Sequence, residues 1–422
     1  MNRGLETLVV GGGMITADLI LPSLYHLQRR EAVAEITICA LSSGPLRELA
    51  ANIEIRGAFP GSGFAARPAL SAPPDAPRPG LYRDLIAGMK PRQLVVVAVP
   101  DMLHRAVVME ALRGDQNVLC VKPLVLSYAH AREIETEARK RGLFVGVEYH
   151  KRFDRRSLVA RRAYRQGSFG EFVCGEAKLI EPYSYRYSNF QNWFTVDATD
   201  PFTYIGCHYI DLVHFITGLR PVEVSLAGVR RRFPNGKEGF LWSLGRVRWE
   251  NGALLGVTNG LGYPDLAAGS NDQGLLLYCE GEGKTGMIRH DDQDRGVSYA
   301  YLEGIGPGGS HFNYASPDFF RLVPWEGEGL RPVGYGFDSI EAIVETVRRV
   351  ERAGEGLTDA EARAARGRVL HDVDEEGIVA TPANSGINEL AIEAARMSVL
   401  ADGLPVSILY DGDTPRVRLR QG

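Results

Sequence analysis

Residues 8–16 read Leu8-Val9-Val10-Gly11-Gly12-Gly13-Met14-Ile15-Thr16. A short apolar run passes into three glycines and then into a helical pattern, Ile15–Arg29, which is the strand–turn–helix of a dinucleotide-binding βα unit. Gly11 suits the tight turn. Gly13 lets a pyrophosphate approach the backbone, where the helix N-terminus offers free N–H groups and partial positive charge. Cofactor contacts are therefore expected at Gly11, Gly13, Met14 and Ile15. The third glycine of the usual fingerprint is Thr16 here, so that device for close helix–strand packing is missing.

Outward from this turn, apolar runs at Thr7–Val10, Glu35–Ala40, Leu94–Val99, Val118–Val121 and Phe144–Val147 alternate with helical patterns at Leu46–Ala51, Leu103–Arg113 and Tyr128–Arg141. The rhythm predicts a doubly wound Rossmann domain, α/β, over residues 1–150. A Pro-, Gly- and Ala-rich excursion, 57–80, interrupts it around a third strand near Phe64–Ala66. After His150 a basic helix, Ser157–Arg165, precedes strand-like runs at Phe172–Ile180, Val222–Val229, Leu254–Thr258 and Leu275–Tyr278. Helices are expected at Ser339–Arg352 and Ile387–Leu400, with a polar connector over 354–383 between them. This half reads as an α+β domain, 151–410, on a mostly antiparallel open sheet that binds substrate and mediates oligomerisation. The second strand ends Ile38-Cys39-Ala40-Leu41-Ser42-Ser43, without the carboxylate that usually holds the ribose diol of NAD. Ser42 and Ser43, with Arg47 as a further candidate, leave both NAD and NADP open.

The 422 residues carry 48 Lys+Arg against 52 Asp+Glu, a net charge of −4, too balanced for a nucleic-acid or anionic-membrane binder. With 45% hydrophobic and 24% charged residues, the chain is expected to be globular rather than disordered. No 18-residue apolar run and no signal-peptide core are seen, which predicts a cytoplasmic protein. The five cysteines (Cys39, Cys120, Cys174, Cys207, Cys279) include no Cys-x-x-Cys, so neither a disulfide framework nor a zinc site is expected. The cluster His290-Asp291-Asp292-Gln293-Asp294 reads as a solvated turn, not a metal site.

Four further segments carry a resemblance. Val97-Ala98-Val99-Pro100-Asp101-Met102-Leu103-His104, Val118-Leu119-Cys120-Val121-Lys122-Pro123-Leu124, Tyr149-His150-Lys151-Arg152-Phe153-Asp154 and Gly206-Cys207-His208-Tyr209-Ile210-Asp211 resemble motifs of the Gfo/Idh/MocA oxidoreductases. The chain departs from the family at Asp101 (usually Asn), Val121 (usually Glu) and Arg155 (commonly Pro). The resemblance extends by motif from residue 5 to about residue 230, and by architecture to about residue 410. It implies an NAD(P)-dependent oxidoreductase acting on a sugar, sugar derivative or cyclitol, with Pro100, His104 and Lys122 at the cofactor and a homodimer or homotetramer as the assembly. It also implies catalytic roles for Lys122 and His208. Tyr204 stands where many members carry an aspartate one helical turn before the histidine, and is a candidate to replace it.

Oxidising a carbinol needs a base for the hydroxyl proton and a donor for the developing alkoxide, roles that suit His208 and Lys122. Asp211 either orients His208, holds a substrate hydroxyl or serves the helix start. Arg152 and His150 reach cofactor or substrate, or form salt bridges in the basic stretch. His104 fits a structural or nicotinamide-side position better than that of a base. The segment Tyr183-Ser184-Tyr185-Arg186-Tyr187-Ser188-Asn189-Phe190-Gln191-Asn192-Trp193 mixes rings, amides and hydroxyls, as polyol recognition requires, and makes Trp193 a substrate candidate. A redox-cycled glycosidase, which oxidises, eliminates and re-reduces, is the alternative activity. A nucleotide-dependent sensor and a biliverdin-type reductase fit less well.

Overall fold

Six strands of the N-terminal region, β1 (Leu5–Val10), β2 (Val33–Cys39), β3 (Ala65–Arg67), β4 (Leu94–Val97), β5 (Asn117–Val121) and β6 (Val145–Glu148), form one parallel sheet ordered β3-β2-β1-β4-β5-β6. The computed structural model describes residues 4–267, 271–282, 284–291, 297–302, 310–315, 319–412 and 414–420. Every residue of β4, β5 and β6 is buried, as in strands covered on both faces, which is why these runs are apolar without alternation. The strand order reverses between β1 and β4. In a doubly wound sheet this places the ligand crevice at the C-terminal ends of those two strands.

The chain divides into two compact units: Met1–Val125, Ala129–His150 and Phe320–Ser385 make the first, and Leu126–Tyr128, Lys151–Phe319 and Gly386–Gly422 the second. The expected boundary at residue 150 assigned Phe320–Ser385 to the second domain, whereas it folds with the Rossmann sheet. Helix Tyr335–Ala353 shows why, because Ile340, Ile343, Val344, Val347 and Val350 lie on one buried face. Ile343 packs so close to β6 that a Cβ on Gly146 would lie 3.0 Å from it. The expected connector contains an 18-residue helix, Asp359–Glu376, opened by a Thr358/Glu361 capping box. Its buried positions are Ala362, Ala365 and Val373. Small residues facing the core leave no apolar stripe to read, so the helix was hidden.

In the second unit, β7 (Glu171–Pro182), β8 (Pro221–Arg232), β9 (Glu238–Trp249), β10 (Leu254–Tyr263), β11 (Asp272–Gly281) and β12 (Lys284–Asp291) join two short C-terminal strands, Val406–Leu409 and Arg416–Leu419. The eight-stranded order is β12-β11-β7-β10-β9-β8, then Val406–Leu409 and Arg416–Leu419; among the described residues only β7 and β10 pair in parallel in this sheet. Helices Cys207–Thr217 and Ile387–Leu400 bury most of their residues, the second with Ser398 donating toward this sheet's loop at Leu404. In β9 the run Phe240-Leu241-Trp242 is continuously apolar and alternation is confined to Gly245–Trp249, so the sequence reading did not single this strand out. Two-stranded hairpins pair Val297–Leu302 with Ser310–Ala315, and, in the first unit, Arg321–Pro324 with Leu330–Val333. Among the described residues no helix is long and apolar enough to cross a membrane.

The second of these hairpins packs Trp325 against His26, whose other neighbour is Phe337, with ring centroids 5.2 and 5.5 Å away. Burial, then repulsion from Arg30, Arg29 and Arg331, pushes the His26 imidazole down to about 4. The unfolded chain therefore takes up a proton near pH 6.5 that the folded chain refuses until about pH 4. Stability should be unaffected by this group above pH 6.5 and should fall progressively as pH drops from 6.5 toward 4. Urea melts of the wild type and His26→Phe across that window test this; equal slopes for the two proteins would remove His26 as the cause.

Candidate active site

In the first unit the glycine turn leaves β1 at the point where the strand order reverses. Gly11 has φ +120°, and a Cβ there would lie 1.9 Å from the Ala98 carbonyl oxygen, so both backbone and space require glycine. Gly13 faces open space, with nothing within 4 Å of a Cβ built on it. The N–H groups of the first helical turn, at Gly13, Met14 and Ile15, have no acceptor within the helix by geometry and border that space. Thr16 compensates for the missing third glycine: it is buried, and its Oγ1 donates to the Gly11 carbonyl at 2.7 Å, closing the turn. The helix then passes through a π-turn, Thr16–Ile20, before Leu21–Arg29. Open backbone donors, a helix start and a cradle without side chains fit a dinucleotide pyrophosphate.

At the end of β2 the two serines part company. Ser43 is fully buried and donates to the Ala72 carbonyl at 2.7 Å, so it does not reach a cofactor as expected. Arg47 is likewise engaged, through Nε to the Leu70 carbonyl and Nη2 to the Ala72 carbonyl, both at 2.7 Å. The excursion 57–80 thus consumes two of the groups that made a 2′-phosphate site conceivable. Ser42, half-buried, precedes helix Ser43–Ala51 and its side chain makes no capping bond there.

After β4, Pro100 opens a turn in which Asp101 accepts from the Met102 N–H at 2.9 Å. His104 is buried with its Nδ1 2.7 Å from the Pro123 carbonyl and its Nε2 2.8 Å from the Val99 carbonyl. Both ring nitrogens are used on backbone, so His104 fastens together the turns after β4 and β5 rather than facing a ligand. Lys122, half-buried, directly follows β5 in the second of these turns. His150 closes the unit's N-terminal half, its Nδ1 3.0 Å from both Glu148 carboxylate oxygens and its ring stacked near Tyr335.

The second unit builds its site on one helix. Asp200 starts it, accepting from the Thr203 N–H at 3.0 Å and the Thr203 hydroxyl at 2.8 Å, with Pro201 next. Full burial pushes the Asp200 carboxyl up, against the opposing hydrogen bonds of Thr203 and the charge of Arg396. A second π-turn, Phe202–Gly206, leads into Cys207–Thr217, where His208 is buried. Tyr204 lies in an aromatic nest with Phe190, Trp193 and Phe194, at ring distances of 5.2, 5.3 and 5.9 Å. The nest brings Trp193 and Tyr204 together, as a shared binding surface would require.

Two of the substrate candidates are engaged with each other. Arg152 and Asp211, each 1% exposed, form a two-pronged ion pair, Nε to Oδ2 at 2.8 Å and Nη2 to Oδ1 at 2.6 Å, and Asn388 Nδ2 donates to the same Oδ1 at 2.8 Å. Both charges are spent on fixing the histidine helix to the start of this unit. Sequence reading also missed a buried polar cluster. His290 lies on β12, buried rather than in a solvated turn, with Nε2 2.7 Å from Asp154 Oδ2. Burial alone would raise Asp154, but hydrogen bonds from His290 and Arg156 outweigh it and hold the carboxyl well below its usual range. Beside this pair, buried Lys151 donates to Gln273 Oε1 at 2.6 Å and its ammonium lies 5.1 Å over the Tyr209 ring. The one signal for Asp154 was its place before Arg155–Arg156, an N-cap pattern; Asp292, Gln293 and Asp294 lie outside the described residues.

Residues 5–149 match the family model described as an oxidoreductase family with an NAD-binding Rossmann fold. The 1,5-anhydro-D-fructose reductase of Ensifer adhaerens is 27% identical over 165 residues, 38% of this chain and 48% of the relative. The inositol 2-dehydrogenase of Rubrobacter xylanophilus is 34% identical over 182 residues, 40% of this chain and 48% of the relative. The matches therefore span less than half the length of these curated relatives. An inositol dehydrogenase homolog from Azotobacter vinelandii, crystallised with NAD+, superposes with a TM-score of 0.62 over 96% of this chain and 97% of that one, at 16% identity, which establishes a common fold.

If Arg152 and Asp211 are a structural pair, Asp211→Ala leaves a buried guanidinium uncompensated and should cost about 3–5 kcal/mol of stability. Denaturant unfolding measures this. A variant as stable as the wild type but with a raised KM would return Asp211 to the substrate.

Proposed function

Residues 5–149 belong to the Gfo/Idh/MocA oxidoreductase family, and from that premise we propose that the chain moves a hydride between NAD and a carbinol carbon of a sugar or cyclitol. The observation that carries this reading is the Gly11–Thr16 turn at the reversal between β1 and β4, whose bare cradle and helix start suit a pyrophosphate. Gly11, Gly13, Met14 and Ile15 would hold the diphosphate, Ser42 the adenosine ribose, and Pro100 the nicotinamide side. When bound, the nicotinamide supplies the hydride chemistry. NAD is favoured over NADP because Ser43 and Arg47 are committed to the 70–72 backbone.

Lys122 donates to the oxygen at the reacting carbon and steadies its developing negative charge. His208 takes the hydroxyl proton during oxidation and returns it during reduction. Tyr204, its ring held by Phe190, Trp193 and Phe194, offers a phenol for a substrate hydroxyl while Trp193 supplies an apolar face. The substrate class rests on the sugar and inositol enzymes to which the chain is similar and on this mixture of rings and polar groups. A homodimer or homotetramer is part of the same reading, supported by Leu244, Tyr278 and Met287, large apolar side chains exposed on the sheet of the second unit.

A panel of sugars and cyclitols, followed by nicotinamide fluorescence with NAD and NADP, tests the proposal. Turnover with at least one polyol is expected, with NAD bound about tenfold or more tightly than NADP, an advantage of about 1.4 kcal/mol. Lys122→Ala and His208→Gln should each lower kcat by about 100-fold or more while NAD affinity stays within a few-fold. Release of sugar from an aryl glycoside without net reduction of NAD would replace the dehydrogenase with the redox-cycled hydrolase.

A further inference from the structure

We infer that Asn259 is a positioning residue for His208: its carboxamide oxygen, lodged against Gly206, fixes how closely the histidine helix approaches the sheet and how polar its surroundings are. The inference rests on the oxidoreductase reading above through His208.

Asn259 lies on β10 and is fully buried. Its Nδ2 donates to the Leu179 carbonyl of β7 at 3.5 Å. Its Oδ1 has no hydrogen-bond partner among the described residues, and a Cβ on Gly206 would lie 2.5 Å from that oxygen. The residue opposite it on β9 is Ser243, also buried, whose hydroxyl is likewise without a partner among the described residues. Around them Leu241, Val257 and Leu261 are buried and apolar. A carbonyl oxygen left unpaired in such surroundings is unfavourable, and an apolar side chain of similar size would remove the penalty.

Two other costs fall at the same place. Glycine within a helix is unfavourable, yet Gly206 is the residue that admits the oxygen. The π-turn Phe202–Gly206 ends on that glycine, and such turns gather at functional sites. An amide with its oxygen unpaired, a helical glycine and a π-turn thus converge two residues before His208. The oxygen is the negative end of a fixed dipole at the turn that leads into the histidine helix, and its field there would favour the proton that His208 takes up in the reaction.

The test uses Asn259→Leu and Asn259→Asp in the full chain. Three quantities are read: stability, the His208 imidazole midpoint by NMR in cofactor-free protein with His208→Gln for assignment, and kcat and KM on a panel substrate. Asn259→Leu should be at least as stable as the wild type, with its midpoint lower by about half a unit or more. Its kcat should fall by about tenfold with KM within about threefold, the split expected of an interaction used in the transition state. Asn259→Asp should move the midpoint up, and either variant alone decides should the other fail to fold. Unmoved midpoints, or kcat and KM of Asn259→Leu equal to the wild type, would sink the inference. A wild type that turns over no polyol would instead sink the oxidoreductase reading, while the midpoints still judge Asn259.

Discussion

At the ends of β1 and β4 the backbone crosses so tightly that no side chain fits at residue 11: the Ala98 carbonyl occupies the place of a Cβ. Everything on the cofactor side of the first unit follows from that crossing. It forces the left-handed turn at Gly11, aims the helix start at open space beside Gly13, and makes the hydroxyl of Thr16 useful as a clasp on the Gly11 carbonyl. The turns after β4 and β5 are tied in the same region by His104, whose two ring nitrogens span Val99 and Pro123. The crevice is therefore a product of backbone proximity first and of side-chain chemistry second.

What could be read in the sequence follows this division. The Rossmann sheet was legible because buried parallel strands are apolar runs and because glycine is irreplaceable at a crossing. Helix Asp359–Glu376 was not, since alanines at its buried positions satisfy the core without a hydrophobic signature. The membership of Phe320–Ser385 in the first unit was illegible too, as nothing in a local pattern says which sheet a helix will cover. In the site, motif spacing singled out Lys122, His208 and the glycine turn. It could not show that Ser43, Arg152 and Asp211 bond within the protein, because a residue type announces what it can bind and not which neighbour reaches it first. His290 was misread for the converse reason: its acidic successors suggested solvent, while its own side chain turns toward Asp154.

In the second unit the buried charges act as a frame. Arg152 with Asp211, and Asp154 with His290 and Arg156, tie helices Arg155–Arg165 and Cys207–Thr217 and strand β12 to one another through directional, charge-assisted bonds. Such pairs are poor sources of net stability but strict in geometry, since each tolerates little displacement before a charge is stranded. A histidine carried on such a frame has few alternatives to its observed place.

The two π-turns, at Thr16–Ile20 and Phe202–Gly206, carry a consequence for how this chain is compared with others. Each accommodates an additional residue without breaking its helix, so the angular phase of side chains before the turn is shifted against those after it. Counting back from His208 to find the counterpart of another protein's residue thus measures sequence distance across a change of pitch. Thr203, Tyr204 and Asp200 each become comparable to a partner only by superposition of the helix itself. An alignment column drawn through this segment joins positions that need not point the same way.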